Sequence, residues 1–258
     1  MQHRGLRRLA AEIDEQHREG MRTIEDDLGE LHFGGTPALV ESRRGFARRM
    51  ATGGAIAFGA STIPVAALVP AAWAQTTAPP GTASTAEPRL GDKDLNLAIF
   101  AQTVELAAVA LYRAAIDTGK LSKPVVDVAE LFAGHHADHA GQFGAFAGRA
   151  AKPRANQKLL DELTPKLTAA TSERDLLVLA RAVEEGATAT YVYALGVLES
   201  RDAAAAVATI LPIEAQHAVA LSFAIDGSDA AFLANAATNV PTFETEAQGL
   251  DPKKYAVG

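Results

Sequence analysis

Four segments of this chain carry glutamate or histidine residues at spacings that suit one face of a helix. TVELAAVALY and AVEEGATATY each have a glutamate seven residues before a tyrosine. LFAGHHADHAG contains a His-x-x-His pair, and PIEAQHAVA contains Glu-x-x-His. Side chains three residues apart lie on the same face of an α-helix, so both can reach one ion. This order of motifs is close to the order in which four-helix bundles present ligands to a pair of metal ions.

Six residues are therefore candidate metal ligands, and none is assigned a catalytic role: Glu105, His136, His139, Glu184, Glu214 and His217. Carboxylates buried in an alanine-rich core are costly to ionise, and a divalent cation removes that cost. Hydrogen-bonded core pairs and a solvated histidine-rich face are the alternatives. Glu184 is preferred to Glu185 because it has the correct spacing to Tyr191. His135 lies roughly 100° around the helix from His136, which predicts a position outside the direct ligand set.

Composition limits the class of protein and of metal. The chain of 258 residues is 48% hydrophobic, with few aromatic residues and much alanine, which favours closely packed helices. The formal net charge is −7, and the sequence has no basic stripe that could neutralise phosphates. We therefore expect no nucleic-acid partner. Because there is no cysteine, thiolate zinc sites and iron–sulfur clusters are excluded. Oxygen and imidazole ligands favour iron, manganese or zinc.

A stretch over residues 42–74 resembles a twin-arginine export signal. SRRGFARR is followed by a moderately apolar run and a small-x-small sequence. The residues that carry this prediction are Arg43, Arg44 and Phe46 in the signal, and Ala72 and Ala74 at the cleavage site. It implies the twin-arginine export machinery as a partner and a periplasmic, envelope or extracellular location. The alternative is a membrane anchor, because residues 51–74 carry no charge and are long enough to span a bilayer.

Outside the signal, the chain divides into four further regions. Residues 1–41 form an N-terminal extension, either a short cytoplasmic segment or the result of a start codon placed too far upstream, with Met21 as the alternative start. We assign no role to its three histidines. Residues 75–89 are a flexible linker by composition. Residues 90–226 form the main domain, and residues 227–258 form a partly ordered tail that folds back over it.

The main domain contains four long helical patterns, over about 92–118, 124–150, 172–200 and 202–225. Ser172 and Asp175 have the spacing of a capping box. A short helix between the second and third patterns is predicted to break at Pro165. Two hairpins with short turns, joined by this longer crossover, predict an all-α antiparallel four-helix bundle.

The motifs E-x6-Y at Glu105–Tyr112 and Glu184–Tyr191, with E-x-x-H at Glu214–His217, resemble those of the ferritin-like superfamily. The resemblance is strongest to exported bacterial ferritin-like proteins related to desiccation-associated proteins. It implies a metal centre, with a di-iron pair as one form, and tyrosines that hydrogen-bond to the ligands. His136 stands where the family usually has a glutamate. An imidazole normally binds one ion. The centre could therefore hold an unequal pair of ions or a single ion, and the metal could be manganese or zinc instead of iron.

Three functions are compatible with these features. The first is a metal-dependent oxidoreductase that oxidises ferrous iron or consumes peroxide or oxygen. The second is an exported protein without catalytic activity that binds metal or protects the cell envelope under stress. The third is a membrane-tethered bundle whose site has decayed. We expect metal ions as partners and membrane contact only through the signal segment, and a homodimer is compatible with a bundle of this size.

Overall fold

The computed structural model describes residues 2–30, 90–226 and 249–257, and these ranges contain helices and no strand. The predicted export signal and linker lie outside the described residues, as does most of the predicted tail. The helices are α1 (Gln2–Glu30), α2 (Asp92–Asp117), α3 (Lys123–Ala147), α4 (Gln157–Ala169), α5 (Glu173–Val197) and α6 (Arg201–Asp226), with a 3-10 turn at Gly148–Ala150. The all-helical fold predicted from the sequence is confirmed.

Two hairpins form the bundle: α2 packs mainly against α3, and α5 packs mainly against α6. The turn after α2 contains Gly119 at φ +68°, a left-handed conformation that favours glycine. Pro124 occupies the first turn of α3, where its missing N–H costs nothing. Both hairpin connections are therefore short, as the sequence predicted.

The crossover between the hairpins runs the length of the bundle. Helices α2 and α5 are antiparallel, because Tyr112 of α2 meets Glu184 and Tyr191 of α5 meets Glu105. Since α2 is also antiparallel to α3, α3 and α5 run in the same direction, and residues 148–172 return the chain to the starting end. Within this segment, α4 buries Leu159, Leu163 and Leu167 against α2 and α5. The predicted break at Pro165 is wrong, since α4 continues to Ala169. Burial of three leucines on one face outweighs the hydrogen bond that proline removes.

The start of α5 confirms the predicted capping box. The Ser172 hydroxyl accepts a hydrogen bond from the Asp175 amide at 3.2 Å, and the Asp175 carboxylate accepts one from the Ser172 amide at 3.0 Å. Asp94 has a similar role between hairpins, because its buried carboxylate accepts from the Ser200 amide at 2.7 Å. These contacts satisfy backbone donors at two helix starts and fix the ends of the bundle.

Helix α1 packs against the bundle. Leu6, Ala10 and Ile13 are buried in the same apolar cluster as Phe132 of α3 and Leu221 of α6. Their spacing of three to four residues forms one apolar stripe along α1. Residues 2–24 of α1 and the helices over residues 90–226 accordingly belong to one compact unit.

Glycines allow α1 to approach α6 closely. A Cβ atom built on Gly5 would lie 2.7 Å from Cζ of Phe223, and one built on Gly20 would lie 2.7 Å from Cγ2 of Thr209. Both distances are too short for a carbon–carbon contact. Since the earlier glycine faces the later residue of α6, the two helices are antiparallel.

The end of the chain also returns to the bundle. The Tyr255 carbonyl accepts a hydrogen bond from Nδ2 of Asn156 at 2.8 Å, and the Leu250 amide donates to the Thr190 hydroxyl at 2.7 Å. Tyr255 itself is buried against α4. Residues 249–257 therefore cover the crossover side of the bundle, away from α1.

Candidate metal centre

The six candidate ligands converge in the middle of the bundle. Helices α2 and α5 each supply one glutamate, α3 supplies His136 and His139, and α6 supplies Glu214 and His217. Each of the six residues is at most 1% exposed. Donor atoms of these residues form two overlapping groups, and within each group the atoms lie within 4.8 Å of one another. The first group is Glu105, His136, His139 and Glu214; the second is His136, Glu184, Glu214 and His217.

Glu214 belongs to both groups and spans them with its two carboxylate oxygens. Its Oε1 lies 2.6 Å from Nδ1 of His139, while its Oε2 lies 3.3 Å from Nδ1 of His217. A carboxylate in this position can bind one ion through each oxygen. Glu214 is thus placed at the centre of the site, whereas His217 belongs to the second group alone.

His136 is the other shared residue, and its two ring nitrogens face opposite groups. Nδ1 lies 2.7 Å from Oε2 of Glu105, and Nε2 lies 3.1 Å from Oε1 of Glu184. Here the two halves of the bundle differ, because α3 presents an imidazole where α6 presents the Glu214 carboxylate.

Two tyrosines hold the outer glutamates, and they do so across the bundle. The Tyr112 hydroxyl on α2 donates to Oε1 of Glu184 on α5, and the Tyr191 hydroxyl on α5 donates to Oε1 of Glu105 on α2. Each E-x6-Y helix therefore supplies the tyrosine that orients the glutamate of the other. One oxygen of each glutamate is fixed in this way, and the second oxygen faces the histidines.

His135 lies behind His217, outside the central group. Its Nδ1 is 3.0 Å from Nε2 of His217, and its Nε2 is 3.3 Å from Oδ1 of Asp14 on α1. Burial lowers the pKa of His135, and the positive charge of neighbouring histidines lowers it further. The neutral ring of His135 is thus hydrogen-bonded to His217 on one side and to Asp14 on the other. This orients His217 with Nδ1 toward the centre, as hydrogen-bond partners behind metal-binding histidines do.

Several buried polar atoms of the centre have no hydrogen-bond partner within the described part of the chain. They are both ring nitrogens of His139, both oxygens of Glu214, Oε2 of Glu184 and Nδ1 of His217. Nδ1 of His139 and Oε1 of Glu214 are close but not aligned as a hydrogen bond. Buried polar atoms rarely remain unpaired. Because donor atoms of these residues lie within 4.8 Å of one another in each group, the residues fit coordination of a metal ion.

The charges of the centre compensate one another. Burial opposes the charged form of every group, but His136 and His139 lower the pKa of Glu105 to about 2. Conversely, burial favours neutral imidazole, but the facing carboxylates raise the pKa of His139 to about 9 and that of His136 well above its usual value. Burial raises the pKa of the Tyr112 hydroxyl, and the negative charge of Glu184 raises it further. The hydroxyl therefore keeps its proton and remains a hydrogen-bond donor.

Sequence reasoning missed one buried histidine beside this centre. His17 of α1 is 2% exposed, and its ring stacks on that of His135 with centroids 3.9 Å apart. The pattern Asp14-x-x-His17 repeats the spacing of Glu214-x-x-His217 and was the available signal. The segment precedes the predicted export signal, and its helical pattern is only weakly amphipathic.

A sequence model of the ferritin-like domain matches residues 93–226. The chain belongs to this family. The match begins in α2 and ends with α6, so it covers both hairpins, the crossover and all six central residues. Neither the search of curated proteins nor the search of solved structures finds a match. Family membership therefore rests on the domain as a whole, and α1 lies outside the matched range.

The tyrosine contacts predict a difference between two neighbouring tyrosines of α5. Tyr191→Phe removes the donor to Glu105 and leaves that oxygen buried and unpaired. We expect it to weaken metal binding about 10- to 100-fold, as loss of a partner behind a metal ligand does. Tyr193→Phe is the matched control, since Tyr193 is only partly buried and lies outside the centre. Calorimetric titration with Zn²⁺ would measure both; equal affinities would remove Tyr191 from the site.

The raised histidine pKa values predict how metal binding depends on pH. Coordination requires neutral imidazole, and His139 with a pKa of about 9 is protonated in the metal-free protein at neutral pH. Binding must release this proton, so affinity should rise about tenfold per pH unit for each proton released between pH 6 and 8. Zn²⁺ titrations in buffers of different ionisation enthalpy would count the protons. Affinity that is independent of pH would contradict the assignment of His139.

The metal-free protein should show the opposite trend in stability. A folded-state pKa raised above the unfolded value of 6.5 stabilises the fold below pH 6.5, and this stabilisation is lost as the pH rises to about 9. The chelator-treated protein should therefore lose stability from pH 7 to 9, and urea unfolding at several pH values would measure this.

Proposed function

We propose that this protein binds two metal ions in the bundle and, with iron bound, couples oxidation of Fe²⁺ to reduction of peroxide or oxygen. The observation that carries the proposal is the pair of four-donor groups that share Glu214. A single carboxylate with one oxygen in each group, enclosed by two further glutamates, suits two adjacent cations better than one. With peroxide as the oxidant, two Fe²⁺ ions, one H₂O₂ molecule and two protons give two Fe³⁺ ions and two water molecules.

The candidate ligands form two adjacent metal positions in this proposal. Glu105 and His139 would hold one ion, Glu184 and His217 would hold the other, and Glu214 would contribute to both positions. Tyr112 and Tyr191 keep the outer glutamates turned inward. When bound, iron supplies the redox electrons, and the protein supplies the ligand geometry and excludes bulk water.

The surroundings of the centre exclude water. Phe132 is fully buried, and its ring stacks on that of His217 with centroids 3.9 Å apart. Phe143 stacks on Tyr191 at 5.6 Å on the other side. Charges interact strongly in such an environment, and reactive oxygen species are kept from the solvent.

One observation favours a second candidate, a metal-binding protein without catalytic activity. His136 lies between the two groups, where a glutamate would bridge both positions, and an imidazole normally binds only one ion. If His136 takes one position, the two ions differ in charge and geometry. Such a centre suits retention of Zn²⁺ or Mn²⁺ as well as it suits redox chemistry.

Adjacent glutamates on α5 provide a matched experiment. Glu184 is fully buried in the centre, while Glu185 pairs with Arg181 at the surface. Glu184→Gln should lower metal content and reduce the rate of Fe²⁺ oxidation by at least about tenfold, whereas Glu185→Gln should match wild type. Stopped-flow absorbance of ferric iron and elemental analysis would measure the two quantities. Full metal content without oxidation in wild type would favour the second candidate, and full content in Glu184→Gln would exclude the site.

We propose in addition that the bundle is exported by the twin-arginine route. The support is the sequence over residues 42–74, with paired arginines, an uncharged apolar run and a small-x-small site. Transport of folded protein by this route would allow the metal centre to be loaded before export. Amino-terminal sequencing of exported protein should find Gln75 first, and an intact Met1 would contradict cleavage.

A further inference from the structure

A second set of metal-ligand atoms lies between α1 and the bundle. Asp14 and His17 of α1 and His135 of α3 place one donor atom each within 4.8 Å of one another. Asp14 and His17 are three residues apart, so they share one face of α1. This repeats on α1 the arrangement of Glu214 and His217 on α6. The set shares no residue with the two central groups.

The set is enclosed on one side and open on the other. His17 and His135 are 2% and 3% exposed, whereas the Asp14 side chain is 26% exposed. A cation can therefore enter from the solvent beside Asp14. Asp138 lies at the same edge, with Oδ2 3.9 Å from Nε2 of His17, which exceeds hydrogen-bond length.

The buried ring of His17 is not explained by packing alone. Among the described residues, Nε2 of His17 has no hydrogen-bond partner, although an unpaired buried polar atom normally costs free energy. The hydrogen-bonded series from Asp14 through His135 to His217 does not include it. An aliphatic or aromatic side chain would fill the same space without that cost, so the nitrogen itself requires a role.

We propose that Asp14, His17 and His135 form a separate binding position for a divalent first-row metal ion, formed only when α1 is docked on the bundle. Two imidazoles and one carboxylate, with water at the remaining positions, suit Zn²⁺ or Fe²⁺. The position goes beyond the proposed central pair and does not require it to be occupied.

The side chains need only small movements to bind an ion. Two donors each about 2.1 Å from one ion are at most about 4.2 Å apart, slightly less than the 4.8 Å limit of the set. The rings of His17 and His135 are stacked with 19° between their planes, so one ring must tilt to direct its nitrogen at the ion. Burial lowers the pKa of His17 to about 2, and the positive charge of His139 contributes. Its ring is therefore neutral and its lone pair available.

Cobalt(II) provides the test because its bound equivalents and visible spectrum can both be measured. The metal-stripped full-length chain is titrated with Co²⁺ and compared with His17→Phe, which retains a ring against His135 but no nitrogen, and with Asp14→Asn. Each variant should bind one equivalent less than wild type. Glu15→Gln is the matched control, since Glu15 is an exposed carboxylate on the same helix, and it should bind as wild type does.

A second background separates this position from the central pair. In Glu214→Gln, which removes the shared central ligand, adding His17→Phe should remove one further equivalent, while adding Glu15→Gln should not. If wild type, His17→Phe and Asp14→Asn all bind the same number of equivalents, the proposal is overturned, even if the variants unfold at lower temperature. If Glu214→Gln alone changes nothing but His17→Phe still removes one equivalent, the central proposal fails and this one stands.

Discussion

The structure depends on mutual compensation of charge at the centre of an otherwise apolar bundle. Three glutamates and three histidines, drawn from four helices, are removed from water together. Each group alone would be driven to its neutral form by burial, and an unpaired charge there would destabilise the fold. Together they reverse that tendency: the pKa of Glu105 falls while that of His139 rises. The same groups that compensate one another could exchange protons for metal ions, so folding and the proposed metal binding use one set of residues.

The two hairpins have an approximate two-fold arrangement, which hydrogen bonds from two tyrosines stabilise. Each of Tyr112 and Tyr191 donates to the glutamate of the opposite hairpin. Movement of one hairpin relative to the other would break both contacts at once. The exception to the symmetry is the pair His136 and Glu214, which occupy equivalent positions on α3 and α6. That difference makes Glu214 the only carboxylate shared by both donor groups among the described residues.

Helix α1 places a constraint on how the chain is processed. Its apolar stripe completes the cluster around Phe132, and Asp14 and His17 contact His135. The apolar segment over residues 51–74 lies between α1 and the bundle in sequence. A single membrane span there would leave α1 and the bundle on opposite sides, and cleavage after Ala74 would remove α1. If the proposed cleavage occurs, docking of α1 is confined to the unprocessed chain, and the proposed metal position on α1 is lost with it.

Periodicity and spacing alone determined the helices, the two hairpins, the capping box and the six candidate ligands, because these depend on local geometry along one helix. Contacts across helices were decided by the tertiary structure. Sequence could not tell that Tyr191 holds Glu105 instead of its own neighbour, or that Glu214 spans both groups. It also could not tell that α1 docks beside His135, because an amphipathic helix with a narrow apolar stripe can face many surfaces. Which side chains meet across helices depends on how the helices are rotated and offset, and packing of the whole core sets both.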